Sequence, residues 1–451
     1  MVKFVVFGLG MVGNSFLNLV KKEGLFNTNS WYVIDKTDAT KNEFVTLGGN
    51  PSNFIQLNIK QKQYDELFSF LEKGDYLLDF SSAQTNTDFL KICMQNDIHY
   101  LSTSSLPYED GKSYIPSSHD FEIYKQLKGD NNPTGATSII EFGMNPGLVS
   151  CFTKQCIKEI IKHDKNDFVV KNREYMQSLL EQNNYAKIAQ LLGIEIIHIS
   201  DIDTTKTNFA AKEKCVYSTW NIESFCEETL GQSELALGTD VNIKIFDGMV
   251  DSYNEDKGFL LLNKTPLDCP EQSYSPWGSF NGYIVPHEEM YTISDFLSVE
   301  ENGKVSYKPS VYFVYKPSEI AVDSLLNYRK DNYITYESHL IMPEDIASGG
   351  EAVGIVIDGK NFTTRYFGNK LLSPIENETP TILQVSASAY AAFRYMLNNP
   401  NKGFLFPEEV DDEQVLEYAK PILNSFDSFE CPKLERTLFN KNKRNKLNNV
   451  A

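Results

Sequence analysis

Gly8-Leu9-Gly10-Met11-Val12-Gly13 is the stretch on which the reading of the fold turns. It follows directly on the apolar run Lys3–Phe7, which reads as a buried strand. It opens Met11–Lys22, where Val12, Phe16, Leu19 and Val20 recur at helical spacing. A strand, a G-x-G-x-x-G turn and a helix in that order make a phosphate-binding unit. The first glycine permits a tight turn, the second lets the backbone approach a pyrophosphate, and the third brings helix onto strand. Unpaired N–H groups at the helix start then face the phosphates. A second strand, Trp31–Asp35, ends in a carboxylate 22 residues past Gly13. There Asp35 would bind the adenosine ribose hydroxyls and repel a 2′-phosphate, which favours NAD over NADP, although Lys36 beside it weakens the preference slightly. Gly8, Gly10, Met11, Val12, Gly13 and Asp35 are thus the expected cofactor contacts.

Outward from this unit, strand and helix keep alternating. Phe54–Leu57 reads as a third strand, Tyr64–Lys73 as a helix, and Tyr76–Ser81 as a fourth strand. Thr87–Asn96 is a helix and His99–Thr103 a fifth strand, with a further strand at Ser138–Glu141. The rhythm predicts a doubly wound parallel sheet of the Rossmann type. Ser81, Ser82 and Gln84 follow the fourth strand, and Ser102–Ser105, including Thr103, follow the fifth. Ligands of such sheets sit at the carboxyl ends of strands, so Ser81, Ser82 and Thr103 suit a ribose or a nicotinamide amide. Ordinary loop capping accounts for each of them singly just as well.

After the turn Asn145-Pro146-Gly147 the pattern changes. A helix over Val149–His163 is followed by mixed strands at Glu195–Ser200, Tyr217–Ile222, Ile243–Phe246, Gly258–Leu262, Gly282–Val285, Val311–Tyr315 and Ile355–Ile357. Few helices separate them, which predicts an α+β domain built on an open sheet. Thr381–Asn398 reads as one long alanine-rich helix, preceded by Pro380, that returns to pack on the first domain. The expected division is a Rossmann NAD-binding domain over 1–145 and the α+β domain over 146–378. A C-terminal helical segment covers 379–440, and a disordered tail 441–451.

Composition narrows the function. The 451 residues are 41 % hydrophobic and 23 % charged, as in an ordinary soluble protein. No apolar run is long enough for a membrane span or a signal peptide, so no membrane partner is expected. Seven cysteines without a C-x-x-C pair point to reduced thiols and a cytoplasmic setting. Cys151 and Cys156 have no His/Cys neighbours to complete a metal site, and no metal is expected. With 61 acidic against 42 basic side chains the net charge is −19, which repels nucleic acid and would favour cationic ligands if focused in a cleft.

Such a focus stands in the middle of the chain. His198-Ile199-Ser200-Asp201-Ile202-Asp203-Thr204 ends a strand with two carboxylates on one face. Thr219-Trp220-Asn221 and Glu223, Glu227 and Glu234 follow, then Gly282-Tyr283-Ile284-Val285-Pro286-His287-Glu288. Carboxylates beside an aromatic face suit an organic ammonium, because the ring quadrupole adds to the charge pairing. Taken alone, Trp220 also fits core packing, and His287 a hydrogen-bonded structural histidine.

At these residues the sequence resembles the bacterial-type homospermidine synthases, and the likeness runs over most of the chain. It includes Gly8–Gly13, Gly143–Ser150, His198–Thr204, Thr219–Glu227, His287, Thr292–Leu297 and Leu383-Gln384-Val385-Ser386. The resemblance implies a fold similar to saccharopine dehydrogenase, a homodimer holding NAD tightly, and the joining of two putrescines into homospermidine with loss of ammonia. It places the cation-stacking tryptophan on Trp220, substrate-binding acids on Asp201 and Glu227, and polar partners on Asn145 and His287. Glu351 matches another family carboxylate. Two positions depart: Leu106-Pro107-Tyr108 stands where the family has Glu-Pro-Trp, and Ala83 where it has an aspartate. Those acids would line the entrance, so the departures bear on substrate entry and the choice of amine more than on the central chemistry; putrescine or other small aliphatic di- or polyamines are the partners the resemblance implies.

Amine oxidation needs a neutral amine at the reacting end, while an alkylammonium titrates near pH ~10.4. A base is therefore needed, and His287 or Glu227 are candidates. Two other readings remain. One is a relative of saccharopine or carboxynorspermidine dehydrogenase, coupling an amine and an aldehyde with external NAD(P)H. It would need arginines for a substrate carboxylate, and only Arg329 and Arg365 lie between Thr204 and Pro380. The other is an inactive sensor of NAD and polyamines, supported only by the departures at Ala83 and Leu106.

Overall fold

A computed structural model, describing residues 1–57, 64–81, 86–103 and 116–440, divides the chain into two units. The first joins Met1–Cys151 to Ile382–Asn424, and the second joins Phe152–Thr381 to the chain from Ser425 onward.

The first unit is built on a seven-stranded sheet. Its strands are β1 (Phe4–Phe7), β2 (Trp31–Asp35), β3 (Phe54–Gln56), β4 (Tyr76–Asp79), β5 (His99–Ser102) and β6 (Ser138–Ile139), with Phe404–Leu405 beyond β6. The order is β3-β2-β1-β4-β5-β6, and every neighbouring pair is parallel. The chain steps outward from β1 to β3, then returns to β4 on the other side. That reversal is the switch point at whose carboxyl ends ligands collect. Strands buried on both faces need continuous apolar runs. Val5, Val6, Leu77 and Leu78 are accordingly buried.

The helix Pro380–Asn398 returns to this unit as its sequence suggested. Phe393 meets Phe4, Phe16 and Trp31 with ring centroids 5.7, 5.6 and 5.7 Å apart. The Ser386 hydroxyl lies 2.6 Å from that of Ser15 on the helix Met11–Lys22. The helix Asp412–Leu423 belongs to the same unit.

The second unit is α+β, around a ten-stranded mixed sheet. Its central strand, Ile194–Asp203, runs parallel to Ser310–Lys316 and antiparallel to Gly350–Gly359. Arg365–Leu372 and Phe426–Glu430 extend one side. Glu234–Ala236, Phe259–Leu262 and Val250–Asn254 extend the other. The hairpin Pro270–Ser275/Gly278–Val285 joins Ser310–Lys316 through its second strand.

Two expected strands are corrected here. Ile243–Phe246 is a 3-10 turn, because the Asn242 side chain accepts from Lys244 N at 3.0 Å and starts a turn instead of a ladder. Of the expected strand Tyr217–Ile222 only Tyr217 and Ser218 lie in a strand, Cys215–Ser218, and Ile222 opens the helix Ile222–Leu230, whose Asn221 cap accepts from Ser224 N at 2.9 Å. The helices Asp167–Glu181 and Tyr185–Leu192 add helical content the reading did not expect. Among the described residues no helix is long and apolar enough to cross a membrane.

Candidate active site

In the first unit the glycine loop is closed on itself and open toward one side. Gly8 has φ +88°, and a Cβ there would lie 2.8 Å from the Ser81 backbone. A Cβ on Gly13 would come within 2.4 Å of the Gly8 carbonyl oxygen, so helix and strand meet as the motif requires. A Cβ on Gly10 would meet nothing within 4 Å. Gly10 is also the residue before the helix and offers it no side-chain cap. Space and uncapped N–H groups together fit a pyrophosphate. Asp35 turns its carboxylate to this loop: Oδ2 accepts from Leu9 N at 2.8 Å and Oδ1 from Thr37 N at 3.1 Å. Met11 and Val12 are half-buried in the first helical turn.

At the end of β4, Ser81 donates its N–H and hydroxyl to Asp79 Oδ1 at 3.0 and 2.7 Å, and Tyr100 donates to Oδ2 at 3.0 Å. Burial, opposed by these bonds, raises the Asp79 carboxyl to about 6. This buried acid fixes the residue against which Gly8 packs, a role the sequence did not disclose. Thr103 follows β5, half-buried, and Asn145 is half-buried in the turn before Leu148–His163. Ser82, Ala83, Gln84 and Leu106-Pro107-Tyr108 lie outside the described residues.

The second unit gathers acids on one face of its central strand. Asp201 and Asp203 alternate onto the same face. Asp201 sits opposite Tyr315 in the parallel ladder, and Asp203 opposite Glu351 in the antiparallel one. All three acids are buried, at 4, 2 and 2 % exposure. Thr219 donates to Asp203 Oδ2 at 2.9 Å and Thr205 N to Oδ1 at 2.7 Å, while Thr381 donates to Glu351. Neither Asp203 nor Glu351 has an ion-pair partner among the described residues. Burial, then the charges of Asp201 and Asp203, hold the Glu351 carboxyl well above its usual range. Burial raises Asp203 too, against its threonine hydrogen bonds. The Tyr315 hydroxyl is pushed well up by burial and then by Asp201, Asp203 and Glu351, against a hydrogen bond from the half-buried Trp220. A buried region with more carboxylates than it can ionise holds protons or takes up a cation.

Tyr315 stacks on Phe313 (5.8 Å, 14°), and Phe313 meets His287 edge-on at 4.9 Å. His287 is ringed by acids: Glu289 bonds Nδ1, Glu288 lies 3.7 Å from Nδ1, and Glu228 Oε1 lies 3.9 Å from Nε2. Burial would lower the imidazole, but Glu289 first, then Glu288 and Glu228, raise it to about 10. Glu228 in turn is raised to about 8, chiefly by burial, with His287 opposing and the neighbouring glutamates adding. His287 is thus held as imidazolium near neutrality, and Glu228 is poised to exchange a proton. Ligand atoms of His287, Glu288 and Glu289 lie within 4.8 Å of one another, a spacing a metal ion could also use.

The structure therefore brings Asp201, Glu351 and Trp220 together in the second unit, with His287 reached through two stacked rings. Glu227 is half-buried and raised by burial and Glu223, but the acid of its helix that approaches His287 is Glu228. Sequence reasoning missed Glu228, Glu289 and Tyr315 and gave no role to Asp203.

A profile of the saccharopine dehydrogenase NADP binding domain matches residues 4–132. The homospermidine synthase of Mesorhizobium japonicum is 25 % identical over 439 residues, spanning 93 % of this chain and 88 % of that protein. That of Blastochloris viridis is 26 % identical over 438 residues, 93 % and 89 % of the two chains. The crystal structure of Legionella pneumophila homospermidine synthase in complex with NAD superposes with a TM-score of 0.80 at 22 % identity, over 95 % of this chain and 91 % of that one. In sequence the chain is similar to homospermidine synthases over most of its length, and it shares the fold of one of them. A more distant likeness, TM-score 0.52 at 10 % identity over 95 % of this chain and 100 % of the other, joins it to saccharopine dehydrogenase (L-Glu forming) of Saccharomyces cerevisiae.

Proposed function

We propose that the protein is an NAD-dependent homospermidine synthase, converting two putrescines into homospermidine and ammonia. The observation that carries this reading is the buried group Asp201, Asp203 and Glu351 beside Trp220 and Tyr315, in a chain similar to homospermidine synthases. It is a receptacle for an alkylammonium, negative and aromatic together.

The reaction needs two protonation states in one diamine. One end stays an ammonium and is held by Asp201, Glu351 and the Trp220 face. The other must lose a proton before its carbon can give up a hydride, for which bound NAD supplies the acceptor. Glu228 takes that proton: its raised affinity narrows the gap to the amine, and the His287 imidazolium stabilises the carboxylate. Trp220 would then shield the substrate iminium from water while the neutral amine of a second putrescine adds to it and the first nitrogen leaves as ammonia; the new iminium would regain the hydride, for which bound NAD would serve as the carrier, with Asp201 and Asp203 stabilising the positive charge. Asn145 and Glu227 are assigned supporting contacts to the amines, and Ser81, Ser82 and Thr103 contacts to the cofactor. The Asp35 carboxylate favours NAD, although the matching profile is described as NADP binding. The seven cysteines, all free thiols, suit the homodimer in a reducing cytoplasm that this reading brings with it.

Reductive coupling of a carboxylate-bearing substrate is disfavoured because the two arginines between Thr204 and Pro380 are already paired. Arg329 is bound to Asp268 at 3.0 Å, and Arg365 to Glu430 at 3.3 Å. Incubation with putrescine and substoichiometric NAD tests the proposal. Homospermidine in excess of NAD, without accumulating NADH, is expected; product formation only with stoichiometric NADH and an aldehyde overturns it.

A further inference from the structure

The helix Ile222–Leu230 has a second working face. Glu228 turns toward His287, whereas Ile222, Cys226 and Leu230, four residues apart, line a cavity of about 500 Å³. The three are only half-buried, an apolar stripe along the helix. Across the cavity stand Tyr328, Tyr333 and Tyr336. Tyr328 packs at 83° to Tyr333 and 57° to Tyr336, with centroids 5.2 and 5.1 Å apart. Tyr333 has φ +58°, a left-handed backbone rarely taken by an aromatic residue, and its ring is 48 % exposed. Glu337 is the single charged residue among those described as lining the cavity. Tyr336 donates to Asp331 at 2.7 Å, which places a second acid behind the ring wall.

Size, lining and charge agree on one class of ligand. The volume falls within the roughly 300–1,000 Å³ of small-molecule sites. Aromatic faces with one carboxylate attract an alkylammonium, and the aliphatic stripe covers methylenes. We infer that this cavity is a second polyamine site, taking a linear aliphatic amine with an ammonium group at the tyrosines and Glu337 and its methylenes along Ile222, Cys226 and Leu230. The amine class rests on the proposed function. The helix is the shared wall, so occupancy on one face bears on the placement of Glu228 on the other.

Cys226 supplies the readout. It alone of the seven cysteines is not buried, and burial with Glu227 pushes its thiol up to about 11. Alkylation by N-ethylmaleimide at pH 9 is followed by intact mass, with NAD present and spermidine as probe. Spermidine should slow modification at least fivefold in the parent and equally in Trp220→Ala, whose amine cluster is impaired. Tyr333→Ala, at an exposed ring, should lose the protection, and Tyr333→Phe should keep it. Equal rates with and without spermidine, or equal slowing by sodium chloride of matched ionic strength, overturn the inference. So does protection that disappears in Trp220→Ala, which makes the amine cluster its source. Protection that rises with protein concentration instead of spermidine overturns it in favour of a second copy of the chain, to which Leu326 and Ile334 would contribute. Failure of the putrescine assay with protection intact separates the two readings, because it removes the reaction and leaves the site.

Discussion

His287 Nε2 stands 3.9 Å from Glu228 Oε1, while Nδ1 on the other edge of the ring is bonded by Glu289. On its two edges the imidazolium thus meets carboxylates of different character. Glu289 fixes the charge on the ring; Glu228, raised to about 8, is the one whose proton is mobile. Turnover should therefore fall as pH drops through about 8, where Glu228 takes up a proton and ceases to be a base. Glu228→Gln should lower kcat at least a hundredfold and abolish that limb. A pH–rate profile of the glutamine variant that keeps the limb would assign it elsewhere.

Glu289→Ala should release His287 from its raised state. A histidine with a raised folded pKa contributes stability that is full below its ordinary value and lost as pH rises through the folded one. In the parent this contribution is full below pH 6.5 and declines progressively up to about pH 10, whereas the variant, with only Glu288 and Glu228 left to raise the imidazole, has less to lose between pH 6 and 8. Breaking a buried pair costs about 3–5 kcal/mol. Urea unfolding at pH 6 and 8 measures both effects.

Removing Trp220 tests the cation site without touching the nucleotide loop. Trp220→Ala should reduce kcat/KM for putrescine roughly thirtyfold, the equivalent of about 2 kcal/mol for a desolvated cation–π contact. Trp220→Phe should retain part of the activity, and NAD affinity by fluorescence titration should be unchanged in both.

The acid cluster makes a prediction of the same sign as that for His287, in a lower pH range. Carboxyls whose folded pKa is raised bind more protons folded than unfolded, so stability declines as pH rises above their ordinary range. Asp203 and Glu351 are both raised. An ammonium ligand offsets this, and putrescine should raise Tm more at pH 8 than at pH 6. Glu351→Gln should flatten the dependence in thermal melts.

Asp35→Ala should narrow the preference for NAD over NADP, since repulsion and ribose hydrogen bonds leave together. Dissociation constants for both cofactors decide it; equal affinities in the parent would contradict the role given to Asp35.

What the sequence disclosed follows the range of the forces involved. The glycine loop, Asp35 and the helix Pro380–Asn398 are local patterns, and each was legible. The pairing of Asp201 with Asp203 on one face was legible as well, being a property of strand alternation. Glu351 opposite Asp203, and Tyr315 opposite Asp201, are set by ladder register between distant segments, which no local pattern encodes. Glu227 and Glu228 differ by one residue, but a helix turns about 100° in that step. Which of them faces His287 is therefore decided by the Asn221 cap and the packing of the helix. The 3-10 turn at Ile243–Phe246 was read as a strand because a short apolar run has no period of its own.

The split of the first unit into Met1–Cys151 and Ile382–Asn424 bears on how the chain is made. During synthesis the β6 edge emerges long before Phe404–Leu405, its neighbour in the sheet, and Phe16 and Trp31 emerge long before Phe393. At roughly 5–20 residues per second that interval lasts on the order of tens of seconds. Throughout it the nascent protein carries an unpaired strand edge and bare aromatic rings, the surface that chaperones recognise. The nucleotide-binding half of the enzyme is thus the first to be translated and among the last to be finished.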